Sequence, residues 1–279
     1  MNVQAIRALR SKLKDNQIVQ GIWITMDAPA ITEIAVSLSL DYVVIDMEHG
    51  YLDMNDVVSH LRCTARSNTV ALVRIPELQD HFIKRVLDIG ADGFIAPGVD
   101  TPEKLRTAIE AARYAPRGSR GMGGDRATTW AQQLSSHVET ANENVLIVPL
   151  LESVAAANHL EAMIELALQE NVDLFQFGPA DHCSSAGYAG QWDHPAVARE
   201  ISEMITRLRT AGLHGGILAT NPDDYHRRVD EGFQLIGLGL DSTLLIRQIQ
   251  QFSNDVGVTS TIESPCTGKC HNEGASNNH

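Results

Sequence analysis

Four short stretches carry acids, an arginine and a histidine in an arrangement that chemistry can use. Val44-Ile45-Asp46 continues into Met47-Glu48-His49-Gly50, and Val73-Arg74-Ile75-Pro76 holds an arginine. Leu150-Leu151-Glu152 ends on a glutamate, and Phe177-Gly178-Pro179-Ala180-Asp181 ends on an aspartate. Glu152 and Asp181, a pair with no thiolate in it, are hard oxygen donors suited to Mg2+ or Mn2+, with waters or substrate oxygens completing an octahedron. Arg74 can bind a carboxylate or steady a developing oxyanion. His49 follows a carboxylate by three residues, and Asp46 can orient its imidazole for proton transfer. Each has a plainer reading: acids salt-bridged to arginines, Arg74 paired with Glu48 or Asp46, and one structural histidine among eleven. A glycosidase carboxylate pair ranks behind both, because 5% aromatic residues leave little to stack sugars on.

Lysine supplies a negative. A Schiff-base mechanism needs a lysine projecting into the site. Lys12 and Lys14 fall in an N-terminal helical stretch, Lys84 and Lys104 in later helical stretches, and Lys269 near the end of the chain. None closes an apolar run. If the protein makes or breaks a carbon–carbon bond, a metal must stabilise the enolate.

The elements that position these residues are legible as repeated apolar, β-branched runs: 21–26, 42–46, 71–75, 93–97, 145–152, 174–178, 215–219 and 235–239. Runs apolar throughout suit strands buried on both faces of a parallel sheet. Helix-period stretches lie between them, such as 101–113 and 195–211, and Thr101-Pro102-Glu103 has the cap, proline, acid order of a helix start. Eight such units in a chain of 279 residues predict an α/β fold, a single-domain (β/α)8 TIM barrel, over a doubly wound open sheet. No GxGxxG follows an early run, which favours the barrel. In that fold chemistry sits at the C-terminal strand ends, where all four stretches fall. The longest gap, 115–144, is Gly- and Arg-rich at its start and is expected to cross one end of the barrel. The barrel is expected over 1–253 and a polar, disordered tail over 254–279.

Composition narrows the partners. The net charge of −13 argues against nucleic acid and against an anionic membrane surface, while an anionic small molecule can still be held by one or two buried arginines. No run approaches the length of a membrane span, and the N-terminal stretch lacks the apolar core of a signal peptide. Cys63, Cys183, Cys266 and Cys270 are too sparse to staple the chain, so a reducing, cytoplasmic compartment is expected.

The stretches DYVVIDMEHG (41–50), VRIP (73–76), RYAPRGSRG (113–121), Glu152 and FGPAD (177–181) resemble the HpcH/HpaI family of class II, metal-dependent pyruvate aldolases, in register from about residue 5 to 250. The resemblance implies that Glu152 and Asp181 bind a divalent metal (Mg2+, Mn2+ or Co2+) that pyruvate chelates. It implies that Arg74 contacts the keto oxygen, and that His49, held by Asp46, exchanges a proton with the 4-hydroxyl through a water. Backbone N–H groups around Gly178 and Ala180 would receive the pyruvate carboxylate. Asp88 matches an acid that reaches a neighbouring subunit's site. A homo-oligomer is implied, a hexamer built as a trimer of dimers, with a C-terminal helix within 235–251 exchanged between subunits.

The chain departs from the family pattern in places. Leu150 stands where many members carry glutamine, two residues before the metal glutamate. His182-Cys183 replaces a common Leu-Ser; Cys183 reads as a packed cysteine ahead of a reactive thiol. The segment 123–130 (GGDRATTW) is expected to shape the acceptor pocket, with Arg126 as ligand for a distal carboxylate. Cys266, Cys270 and His271 are too few and too close for a standard zinc site. The implied activity is reversible cleavage of a 4-hydroxy-2-oxo acid, such as a 2-keto-3-deoxy sugar acid or related diacid, to pyruvate and an aldehyde through a metal-stabilised enolate. A citrate-synthase-like use of another donor, such as oxaloacetate, is the alternative among enzymes. A non-catalytic barrel acting as a binding protein is the alternative of a different class.

Overall fold

A computed structural model describes residues 1–258. Eight parallel strands close into a barrel in sequence order: β1 (Val19–Ile24), β2 (Tyr42–Asp46), β3 (Val70–Arg74), β4 (Gly93–Ala96), β5 (Leu146–Leu151), β6 (Leu174–Phe177), β7 (His214–Leu218) and β8 (Leu235–Leu240). Helix α1 (Val3–Lys14) precedes them, and α2 (Pro29–Ser37), α3 (Met54–Thr64), α4 (Asp80–Asp88) and α5 (Pro102–Ala112) follow the first four strands in turn. Then come α6 (Leu134–Asn144), α7 (Val154–Asn158), α8 (Leu160–Glu170), α9 (Pro179–Ser185), α10 (Pro195–Thr210), α11 (Pro222–Glu231) and α12 (Asp241–Asp255). Every strand lies within two residues of its expected run. Thr101 caps α5 as its sequence suggests, its side chain accepting the Lys104 N–H at 3.3 Å.

The two-residue period of a strand decides what enters the lumen. Tyr42, Val44, Val70, Leu72, Ile95, Val148 and Leu150 pack together inside, while Val43, Ile45, Ala71, Val73 and Ile147 face the helices. Continuing the inward parity one step places Asp46, Arg74 and Glu152 at the mouth. Space inside is made by glycine: a Cβ on Gly21 would lie 2.5 Å from the Tyr42 ring. The other end is plugged by α1, whose Ala5, Ile6, Leu9 and Leu13 pack on the first inward residues Val19, Tyr42, Val70 and Leu146.

The long segment between α5 and β5 leaves from a helix C-terminus, so it crosses this plugged end. Arg126, in a 3-10 turn, donates to the carbonyls of Ile89 (2.8 Å) and Leu61 (3.1 Å) at the C-terminal ends of α4 and α3. Positive charge suits those carbonyls.

Chain contacts divide the molecule after Ser242. The barrel is one unit. In the other, α12 continues to Asp255, past the boundary expected at 253, and leaves Leu245, Ile246, Ile249 and Phe252 exposed. Most of the expected tail, with Cys266, Cys270 and His271, lies outside the described residues.

Candidate active site

Arg74 is the most constrained side chain at the mouth. Strands β2 and β3 pair Asp46 with Arg74 directly, so their inward side chains meet. The Arg74 Nε donates to Asp46 Oδ1 at 2.8 Å and Nη2 to Oδ2 at 2.5 Å, a bidentate fork. Its Nη1 lies 2.9 Å from Glu48 Oε2, and its guanidinium stacks over the Trp23 ring at 4.9 Å. Two of its five N–H donors are thereby hydrogen-bonded to Asp46, Nη1 is in ion-pair contact with Glu48, and further donors stay available for a ligand oxygen. The plainer reading of Arg74, a pair with Asp46 and Glu48, is therefore present and compatible with function.

Two carboxylates face it from β5 and α9. Leu151 pairs with Phe177, which sets Glu152 level with Gly178. A Cβ on Gly178 would approach the Glu152 Cβ to 3.0 Å and its Oε2 to 3.3 Å, so glycine lets the two backbones close. The Glu152 Oε1 accepts the Gly98 N–H at 2.7 Å. Burial pushes the Glu152 carboxyl up to about 7 and the Gly98 N–H pulls it down, with the Glu48 and Asp181 carboxylates pushing it further up. Glu48 is raised too, by burial against the pull of Arg74. Asp181 lies in the first turn of α9 rather than on the strand end the sequence suggests.

The donor set of the site suits a cation. Three carboxylates with a raised Glu152 among them answer to one arginine, and hard oxygens are what Mg2+, Mn2+ or Co2+ take. Among the described residues no three His, Cys, Asp or Glu side chains form an enclosing ligand set. Glu152 and Asp181 are the oxygen donors whose chemistry would fit such a metal.

Several expected roles are placed differently. Asp46 does not hold the His49 imidazole: its oxygens are taken by Arg74 and by the backbone N–H groups of Glu48 (3.0 Å) and His49 (3.4 Å). The ring instead reaches Glu48, Nε2 to Oε2 at 4.0 Å, and is largely exposed at the rim. The Gly178 N–H is spent on the Leu151 carbonyl at 3.0 Å. The helical bonds of α9 begin with His182 N–H to Gly178 O, so the Ala180 N–H precedes them and is free for a ligand. Arg126 is at the plugged end and cannot bind a distal carboxylate in this mouth. Asp88 is there too, accepting from Arg120 Nη2 at 2.8 Å. Cys183 is buried with its thiol pushed up by burial, the packed reading, and His182 beside it pairs with Glu200 at 2.6 Å.

The mouth opens into a cavity of about 270 Å³ lined by Glu48, His49, Gly98 to Asp100, Leu150, Glu152, Ser153 and Asp181. Trp23 and Asp100 were not among the expected site residues, and Glu48 was expected only as an ion-pair partner of Arg74. Trp23 shares inward parity with Val19 and Gly21, and Asp100 follows β4, the strand whose apolar run closes on no charged residue.

Acids, a clamped arginine with spare donors and a rim imidazole suit a reaction that gathers charge on a substrate oxygen, as carbon–carbon lyases do. Residues 20–248 match the HpcH/HpaI aldolase/citrate lyase family model, and the chain belongs to that family. A 2-keto-3-deoxy-L-rhamnonate aldolase from Salmonella gallinarum is 30% identical over 271 residues, 96% of this chain and 99% of that one. A crystal structure of an HpcH/HpaI aldolase/citrate lyase family protein from Burkholderia cenocepacia J2315 superposes with a TM-score of 0.84, at 28% identity over 89% of this chain and 98% of that one. The citrate synthase SbnG shares the fold, with a TM-score of 0.77 at 24% identity, over 89% of this chain and 96% of that one. The chain is an enzyme of the aldolase, lyase class, and class II aldolases of the family generally depend on a divalent metal. Among the described residues no helix is long and apolar enough to cross a membrane.

Proposed function

We propose that the protein is a metal-dependent aldolase that reversibly cleaves a 4-hydroxy-2-oxo acid, of the 2-keto-3-deoxy sugar acid type, to pyruvate and an aldehyde. The observation that carries this is Arg74, fixed by Asp46 with N–H donors to spare, facing the raised Glu152 beside Asp181. A divalent cation held by Glu152 and Asp181 supplies Lewis acidity toward the 2-oxo acid.

The chain's own groups then divide the work. The Ala180 N–H and Arg74 orient the pyruvyl end. His49 takes the proton of the 4-hydroxyl as the C3–C4 bond breaks and the aldehyde carbonyl forms. The C3–C4 electrons move into a C2–C3 double bond, and the charge arriving on the 2-oxygen is met by the spare Arg74 donors. Proton return to C3 completes pyruvate. Glu48 lies next to both Arg74, at 2.9 Å, and His49, at 4.0 Å, so its charge acts on the two together.

The reading extends to a cytoplasmic homo-oligomer, a hexamer built as a trimer of dimers. The exposed Leu245, Ile246, Ile249 and Phe252 of α12 support its exchange with a second copy. Asp88, remote from its own mouth, suits service at another subunit's site. A second reading, with oxaloacetate as donor, draws on Leu150, an apolar wall of the cavity at the family's common glutamine position.

The test needs no knowledge of the aldehyde. Metal-stripped protein incubated with pyruvate in D2O is expected to exchange the methyl protons only after Mg2+, Mn2+ or Co2+ is added, and not at all as Glu152→Ala. Failure with all three metals overturns the pyruvate reading and turns attention to oxaloacetate.

A further inference from the structure

The wall of the cavity formed by the turn after β4, Gly98 to Asp100, has its own chemistry. Of the residues lining the whole cavity, four are acids (Glu48, Asp100, Glu152 and Asp181), and none is lysine or arginine. Arg74, beneath the cavity, is paired with Asp46 and Glu48. Arg126, the cation that the sequence offered for a second carboxylate, is spent on main-chain carbonyls at the plugged end. The nearest further cation is Lys104, in the first turn of α5. Its Nζ lies 2.9 Å from Asp100 Oδ1 and donates to the Gly98 carbonyl at 3.1 Å. Lys104 is therefore neutralised by the acid that lines the wall. Asp100 is held on both sides, since the His159 Nδ1–H donates to its backbone carbonyl at 2.9 Å.

We infer that Asp100, with Lys104 as its counter-ion, selects the aldehyde by charge, admitting neutral hydroxyaldehydes and rejecting those that carry a carboxylate. This rests on the aldolase reading. The hydroxyls of a neutral aldehyde donate to the Asp100 carboxylate, which keeps acceptor capacity beside its bond to Lys104. A second carboxylate meets Asp100 instead, with no lysine or arginine in the lining to receive it, and like charge at close range in a half-buried cavity is strongly unfavourable. The pair also defines how selectivity reverses. Removing the Asp100 charge frees Lys104, behind the cavity wall at Asp100 and Gly98, to draw a carboxylate in, whereas removing Lys104 leaves Asp100 uncompensated.

The experiment measures kcat/KM for condensation of pyruvate with lactaldehyde and with succinic semialdehyde, on the metal-loaded full chain. Wild type is expected to favour lactaldehyde by about tenfold or more. Asp100→Asn is expected to lower that ratio by about tenfold, and Lys104→Met to raise it by about threefold. Opposite movements separate charge selection from a general loss of fold, which lowers both rates together. A wild-type preference for the semialdehyde, or a ratio that neither substitution moves, overturns the inference. Pyruvate proton exchange by the wild type, which needs no aldehyde, reports independently on the underlying reading: exchange with the wrong acceptor preference sinks only the selection, whereas no exchange sinks both.

Discussion

The two ends of the barrel use the same residue types to opposite effect. At the plugged end Asp92 is buried, and its oxygens accept the backbone N–H groups of Asn2 and Ala71. Arg126 there gives its Nη groups to two helix-terminal carbonyls. At the open end Glu152 has one N–H partner and faces two further carboxylates, and Arg74 is held by acids while keeping donors free. Main-chain partners consume a polar side chain; side-chain partners of like charge leave it needing a ligand. An arginine or aspartate therefore acquires a chemical role from what faces it, and the barrel assigns opposite surroundings to its two ends.

The largest expected effects break the open end. Glu152→Gln is expected to lower aldol cleavage by about 1,000-fold, measured as pyruvate release with saturating Mg2+ or Mn2+. The same substitution should stabilise the metal-free protein by about 1–3 kcal/mol at pH 8, because it removes a carboxylate whose ionisation the fold resists. The divalent ion should raise the melting temperature of the wild type and leave that of the variant unmoved. A variant no more stable without metal, and equally stabilised by it, would remove Glu152 from the cation centre. Arg74→Lys comes next, at about 100-fold in kcat, since an ammonium cannot keep the Asp46 fork and present spare donors together. A loss in KM alone would mean that Arg74 binds substrate without answering developing charge.

Much of this contrast was legible in the chain. The uninterrupted apolar runs located all eight strands, and the charged residues that close them, Asp46, Arg74 and Glu152, are the ones that reach the mouth. The rest depends on direction and distance. Asp46 and His49 are three apart in sequence and read as a dyad, yet the strand pairing brings Arg74 against Asp46 first, and a bidentate guanidinium outcompetes a rim imidazole. Arg126 reads toward the acceptor pocket because its segment, 123–130, departs from the family pattern. The order of elements decides otherwise, since a segment running from a helix into a strand crosses the plugged end. Asp100 was passed over because β4 itself ends without a charge, and only the turn after Gly98 carries the acid to the wall.

The plugged end offers smaller effects of another kind. Arg126→Met is expected to cost about 1–3 kcal/mol of stability, from two charged hydrogen bonds lost at the ends of α3 and α4, while kcat/KM stays within about twofold. Denaturant titration beside steady-state kinetics reads both. A loss of activity without a loss of stability would show that this end communicates with a mouth, its own or a partner's.

The smallest effect is visible only in acid, and its sign follows from burial. His137 on α6 packs edge-on against the Tyr114 ring at 6.0 Å, with Arg120 over that ring at 4.7 Å and paired to Asp88. Burial pushes its imidazole down to about 4, with Arg120 and the amino terminus adding to the shift. The unfolded chain takes up this proton near pH 6.5 and the folded one near 4, so stability is lost as the pH falls between those values. At pH 5 the accumulated loss is about 1–2 kcal/mol, and His137→Gln should be spared it. Unfolding curves of the two proteins should therefore run together at pH 7.5 and separate at pH 5, with the variant the more stable. Curves that stay parallel would mean that His137 charges freely within the fold, and that water reaches the plugged end as readily as it reaches the mouth.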